Sequence, residues 1–140
     1  MTCDYVVERA AANLPQSAQS AIFTVSGGRV LLLALVPEVT TPIQNQTNAT
    51  SIYINPTVGS DVQIWSLDSI EDRAAGVMFG LHWNGSGSTL FEVTVDPFPP
   101  APIIVPAGAI DLSCAASSTG QLKWLLIYQP LDPGAKVTAA

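Results

Sequence analysis

Gln121-Leu122-Lys123-Trp124-Leu125-Leu126-Ile127-Tyr128-Gln129, preceded by Ile110-Asp111-Leu112-Ser113-Cys114, is the stretch whose pattern decides the fold. Successive side chains of a strand point to opposite sheet faces. Ile110, Leu112 and Cys114 therefore share one face, away from Asp111 and Ser113. In the second segment Leu122, Trp124, Leu126 and Tyr128 share a face, and Leu125 and Ile127 lie opposite beside Lys123 and Gln129. Ser117-Ser118-Thr119-Gly120 between them predicts a reversal, and so a hairpin. Because both faces of the second strand are largely apolar, one can fill a core. The other is covered by the chain's own loops or by a neighbouring subunit.

Upstream the same strand grammar recurs. Ile22-Phe23-Thr24-Val25 and Arg29 to Val36 flank Ser26-Gly27-Gly28, whose glycines suit a tight turn, which predicts a second hairpin. Pro37 to Asn48 is rich in Pro, Thr, Asn and Gln and reads as a loop, followed by short strands at Ser51–Ile54 and Val62–Leu67. Ala75 to Leu81 and Leu90 to Val95 read as further strands around the turn Asn84-Gly85-Ser86-Gly87. Five prolines between Asp96 and Pro106 confine that segment to an edge or a crossing loop. Asp132-Pro133-Gly134 turns the tail, leaving Lys136 to Ala140 to add an edge strand or to dock on another subunit.

Seven or more short strands predict an all-β fold, an antiparallel β-sandwich or a small, jelly-roll-like β-barrel. No Cys-Trp-Cys arrangement marks an immunoglobulin domain. Residues 1–20 are weakly patterned, with Ala10-Ala11-Ala12 allowing a brief helical turn before Pro15. They read as an extended N-terminal arm, anchored on a partner by Val6, Val7 and Leu14, with residues 21–140 as a single β-domain.

Composition narrows the function. The 140 residues are 48% hydrophobic and only 11% charged, less than half of the roughly 25% usual in soluble domains. The net charge of −6 and the absence of any Lys/Arg run argue against a nucleic-acid partner. Val30 to Val36 is far shorter than the roughly 20 residues of a membrane-spanning helix, and the acidic opening is unlike a secretory signal, so no membrane partner is expected and synthesis in the cytoplasm is. Cys3 and Cys114 read as free, buried thiols.

Catalytic material is scarce. The one histidine, His82, lies between Leu81 and Trp83, and a nucleophilic site would require folding to bring it to an acid and to Ser86 or Ser88. Asp68, Glu71 and Asp72 lack the spacing of a calcium loop, and no phosphate-binding loop follows Ser26-Gly27-Gly28. No enzyme, cofactor or metal is expected. Of the three tryptophans, Trp65 and Trp124 read as core. Trp83, beside a turn, is the candidate for a surface aromatic that could stack on a sugar.

The segments Val30 to Thr41, Asn48-Ala49-Thr50, Asn55-Pro56-Thr57 and above all Val105 to Trp124 resemble small virion structural proteins of tailed bacteriophages. The resemblance covers residues 21–140 and lies in phrasing and segment order rather than in a chemical motif. It implies a noncatalytic β-fold protein on the virion, with capsid decoration (cement) proteins fitting the size best. The expected partner is then the major capsid protein, with a homo-oligomer, a trimer at three-fold junctions, using Leu125 and Ile127 as interface. The alternative is a tail, neck or fibre component with glycan binding at Trp83.

Overall fold

The computed structural model describes residues 5–67, 70–83, 88–92 and 103–140, with backbone alone for 66–67, 80–83 and 88–92. It is an all-β sandwich of two packed sheets without a helix among the described residues. The strands are β1 (Tyr5–Asn13), β2 (Gln19–Ser26), β3 (Val30–Thr41), β4 (Thr50–Pro56), β5 (Val62–Leu67), β6 (Phe79–Trp83), β7 (Ser88–Glu92), β8 (Ile103–Val105), β9 (Gly108–Cys114), β10 (Gln121–Pro130) and β11 (Lys136–Ala139). One sheet runs β1-β10-β3-β8 and the other β11-β2-β9-β4-β5-β7-β6. Pairing is antiparallel except for one parallel bridge, Ser66 with Thr89, that joins β7 to β5.

The core lies between the inner faces, where alternation places it. Leu122, Trp124, Leu126 and Tyr128 of β10 are buried and look across at Phe23 and Val25 of β2 and at Ile110, Leu112 and Cys114 of β9. Trp65 joins them from β5, as its position on the strand predicts. Lys136–Ala139 adds an edge strand on β2. β8, inside the proline-rich segment, is an edge strand of three residues.

Both expected hairpins are instead crossings between the sheets. β2 belongs to the seven-stranded sheet and β3 to the four-stranded one, and β9 and β10 are divided in the same way. Gly27 and Gly28 do take positive φ, +77° and +138°. Such a turn serves a sheet crossing as readily as a hairpin, so the residues of the turn cannot choose between them. What chooses is the partner with the longest complementary strand: β10 pairs with β3 from Gln121↔Thr41 to Pro130↔Val30.

Two further expectations are corrected. β3 continues through Pro37 to Thr41, shortening the predicted loop. The proline is accommodated beyond Leu32, where β8 no longer pairs with β3. The N-terminal segment is extended, but from Tyr5 to Asn13 it lies on its own domain as edge strand β1 along β10, and Ala10-Ala11-Ala12 is strand rather than helical turn. Alanine's helix preference is under 1 kcal/mol per residue and yields to a ladder of backbone hydrogen bonds. Leu14, expected to anchor on a partner, is 3% exposed in the chain's own core, and Val7 packs against that core.

Candidate functional site

The outer face of the four-stranded sheet follows directly from the register. Val6, Ile127 and Ala34 stand side by side in one row across β1, β10 and β3, and Glu8, Leu125 and Val36 form the next. Gln129, Leu31 and Ile104 make a further row across β10, β3 and β8. Val6 and Ile104 are each 60% exposed, and the apolar side chains between them are half-buried by their neighbours in the sheet. With strands about 4.8 Å apart, the platform is roughly 14 Å wide. Its apolar residues are contiguous, unlike the scattered surface leucines and valines of an ordinary monomer.

Charge is confined to one end. Lys123 Nζ lies 2.8 Å from Glu38 Oε2 on the neighbouring strand. That hydrogen bond and charge, with help from Glu8, hold the Lys123 ammonium more firmly protonated than a free lysine. Met78, exposed, lies beside this group in a shallow groove shared with Val36 and Leu125. The half-exposed pair contributes at most about 1 kcal/mol to stability and chiefly marks where the apolar surface ends.

Of the residues expected at an interface, Val6, Leu125 and Ile127 are therefore brought together on one face, while Val7 and Leu14 point into the core. Leu31, Ala34, Val36 and Ile104 complete the face and were not anticipated. The signal for three of them was present: Val30 to Val36 is an uninterrupted apolar run, as a strand with two covered faces should be. Trp83 ends β6 opposite Ser88, and His82 stands opposite Thr89. The side chains of both lie outside the described residues, so the surface-aromatic and histidine readings do too.

No chemical centre competes with this face among the described residues. No group of three His, Cys, Asp or Glu is placed to hold a metal ion. Glu71 accepts a hydrogen bond from Thr47 Oγ1 at 3.1 Å, and Asp68 lies outside the described residues. Asp111, buried on the outer face of the seven-stranded sheet, accepts from Gln19 Nε2 at 2.8 Å and Asn55 Nδ2 at 3.1 Å, which satisfies its carboxylate structurally. Cys114 is a free thiol whose burial pushes its pKa up to about 11, making it a poor nucleophile. Cys3 lies outside the described residues. No helix is long and apolar enough to cross a membrane among the described residues. No protein-family model matches the chain, nor does any curated protein or solved structure.

Proposed function

We propose that this chain is a capsid decoration protein of a tailed bacteriophage, docking on the major capsid protein through the outer face of the four-stranded sheet. The observation that carries the reading is the contiguous apolar platform of Val6, Leu31, Ala34, Val36, Ile104, Leu125 and Ile127. Burying such a platform gains about 25 cal/mol for each Å² of apolar surface removed from water, a driving force that the screening of charges by salt does not weaken. A chain with 11% charged residues has little else with which to hold a neighbour. The phrasing of Val105 to Trp124 supplies the virion context. The same β10 that carries the phage-like sequence at Gln121–Trp124 also carries Leu125 and Ile127.

The test is a double substitution, Leu125→Glu with Ile127→Glu, in the protein added to purified heads that lack it. These side chains face outward, so the variant keeps its circular dichroism and unfolding midpoint while its occupancy on heads falls at least tenfold. Undiminished occupancy of a folded variant overturns the docking face. Wild-type density confined to the tail overturns the position on the head.

A further inference from the structure

The free edge of β1 is a surface of a different kind from the docking platform. β1 ends the four-stranded sheet, and among the described residues no strand lies beyond it. It is nine residues long, whereas the other edge strands β6, β8 and β11 have five, three and four. Long open edges are ordinarily blunted by proline or lysine, because their unpaired N–H and C=O groups template pairing with another strand. β8 lies between Pro102 and Pro106 and β11 begins at Lys136, but Tyr5–Asn13 contains neither residue type. Its one protective feature is the bulge between Arg9 and Ala12, where β1 has one residue more than β10. Ahead of the bulge, every residue from Tyr5 to Arg9 has a partner on β10. Tyr5 also stacks on Tyr128, with ring centroids 5.3 Å apart. The regular part of the edge is thus fixed by its own domain, which lowers the ordering cost of adding a strand.

The order of residues on this edge suits a copy of itself. In an antiparallel pair related by a two-fold axis normal to the sheet, outer-face side chains meet outer-face side chains, so the axis must pass through a residue and not between two. An axis at Glu8 opposes two carboxylates, and one at Arg9 opposes two guanidiniums. An axis at Val6 pairs only Tyr5 to Val7 among the described residues. An axis at Val7 uses the whole regular stretch and opposes no like charges. Val6 then faces Glu8 of the second copy on the outer side, and Tyr5 faces Arg9 of the second copy on the inner side, a cation–π pair.

We propose that two copies of this chain join through β1 about a two-fold axis at Val7, fusing their four-stranded sheets into one of eight. Such an isologous contact covers both open edges at once and closes, where a head-to-tail contact would propagate. The paired stretch is short, so the dimer is weak in free solution. The inference does not depend on the capsid reading, since it uses the edge of the sheet and leaves its outer face free.

Sedimentation equilibrium of the purified chain up to millimolar concentration tests it, and should show a monomer–dimer equilibrium. Val6→Glu, which sets an acid against Glu8 twice in each dimer, should weaken dimerisation at least about fivefold relative to Val6→Lys, which sets a base there. Adding Glu8→Lys to Val6→Glu should restore the dimer. Leu31→Glu, two strands away on the platform, changes the net charge as Val6→Glu does and should leave the dimer intact. A wild-type chain that stays monomeric or forms trimers overturns the proposal. So does equal dimerisation by folded Val6→Glu and Val6→Lys, which removes the register, or dissociation by Leu31→Glu, which would mean that the copies meet face to face.

Discussion

Arg29 grips Asp132 with two side-chain nitrogens and its own backbone: Nε to Oδ2 at 2.9 Å, Nη2 to Oδ1 at 2.8 Å and the amide N–H to Oδ2 at 2.7 Å. The two residues sit in separate sheet crossings, β2 to β3 and β10 to β11, which this contact fastens together. Leu131 adds a backbone bond to the Arg29 carbonyl at 3.0 Å.

Hydrogen bonds from Arg29 hold the Asp132 carboxyl well below the usual carboxylate range. A group whose pKa is depressed by folding stabilises above its unfolded value, about 3.9, and loses that contribution as the pH falls toward the folded value. Asp132→Asn should therefore lower the urea midpoint at neutral pH, and the gap from wild type should narrow progressively below about pH 4. A gap that stays constant from neutral to strongly acid solution would contradict the assignment.

Gly27 and Gly134 provide a matched pair of substitutions. Both have positive φ, +77° and +84°, but a Cβ on Gly27 would come within 2.3 Å of the Gly134 carbonyl oxygen, whereas one on Gly134 would meet nothing within 4 Å. Gly134→Ala should cost about 1–2 kcal/mol from backbone strain alone. Gly27→Ala should cost clearly more by chemical denaturation, because the two crossings must also move apart.

Leu14 and Val6 separate a segment docked in the core from a loose arm. Leu14→Ala should destabilise the domain by about 2–5 kcal/mol. Val6→Ala, at an exposed position, should change stability by no more than about 0.5 kcal/mol. Equal and negligible effects in urea unfolding would show that residues 5–14 contribute nothing to the fold.

Cys114 should be silent to thiol reagents in the native state. With its pKa at about 11, only roughly a thousandth of the thiol is ionised at pH 8, and the sulfur is 2% exposed as part of its residue. In a Cys3→Ser background, labelling by Ellman's reagent should follow unfolding, accelerating in urea in step with the loss of circular dichroism. Rapid native labelling would place Cys114 outside the core.

Asn48 is buried at the junction of three loops, donating to Ser118 Oγ at 3.2 Å and accepting from the Ala116 amide at 3.0 Å. Asn48→Ala leaves the amide of Ala116 without that acceptor, and a loss of about 1–3 kcal/mol is expected. Thermal unfolding of Asn48→Ala beside Gln46→Ala, whose side chain meets Ser118 only at 3.4 Å, should rank the first as the more damaging.

The strands were legible in the sequence because burial acts on residues two apart, and β10 shows this in each of Leu122, Trp124, Leu126 and Tyr128. Their partners were not legible. Ser26-Gly27-Gly28 and Ser117–Gly120 encode a change of direction, and the same backbone freedom carries a chain across a sandwich or back along one sheet. The apolar outer face was half visible: Leu125 and Ile127 declared a second apolar side, but Val6 and Ile104 reach it only through long-range pairings.

The pairing of β1 with β10 sets an order of events for a chain being made on a ribosome. Tyr5 faces Tyr128 in the finished sheet, so β1 waits for about 120 more residues before its ladder exists. At about 5–20 residues per second the delay is roughly 6–24 s, long compared with the microseconds in which a local hairpin forms. Throughout that interval Tyr5, Val6 and Val7 have no partner in their own chain. The edge strand that helps complete the sandwich is thus also the one that waits longest for its partner among the described strands.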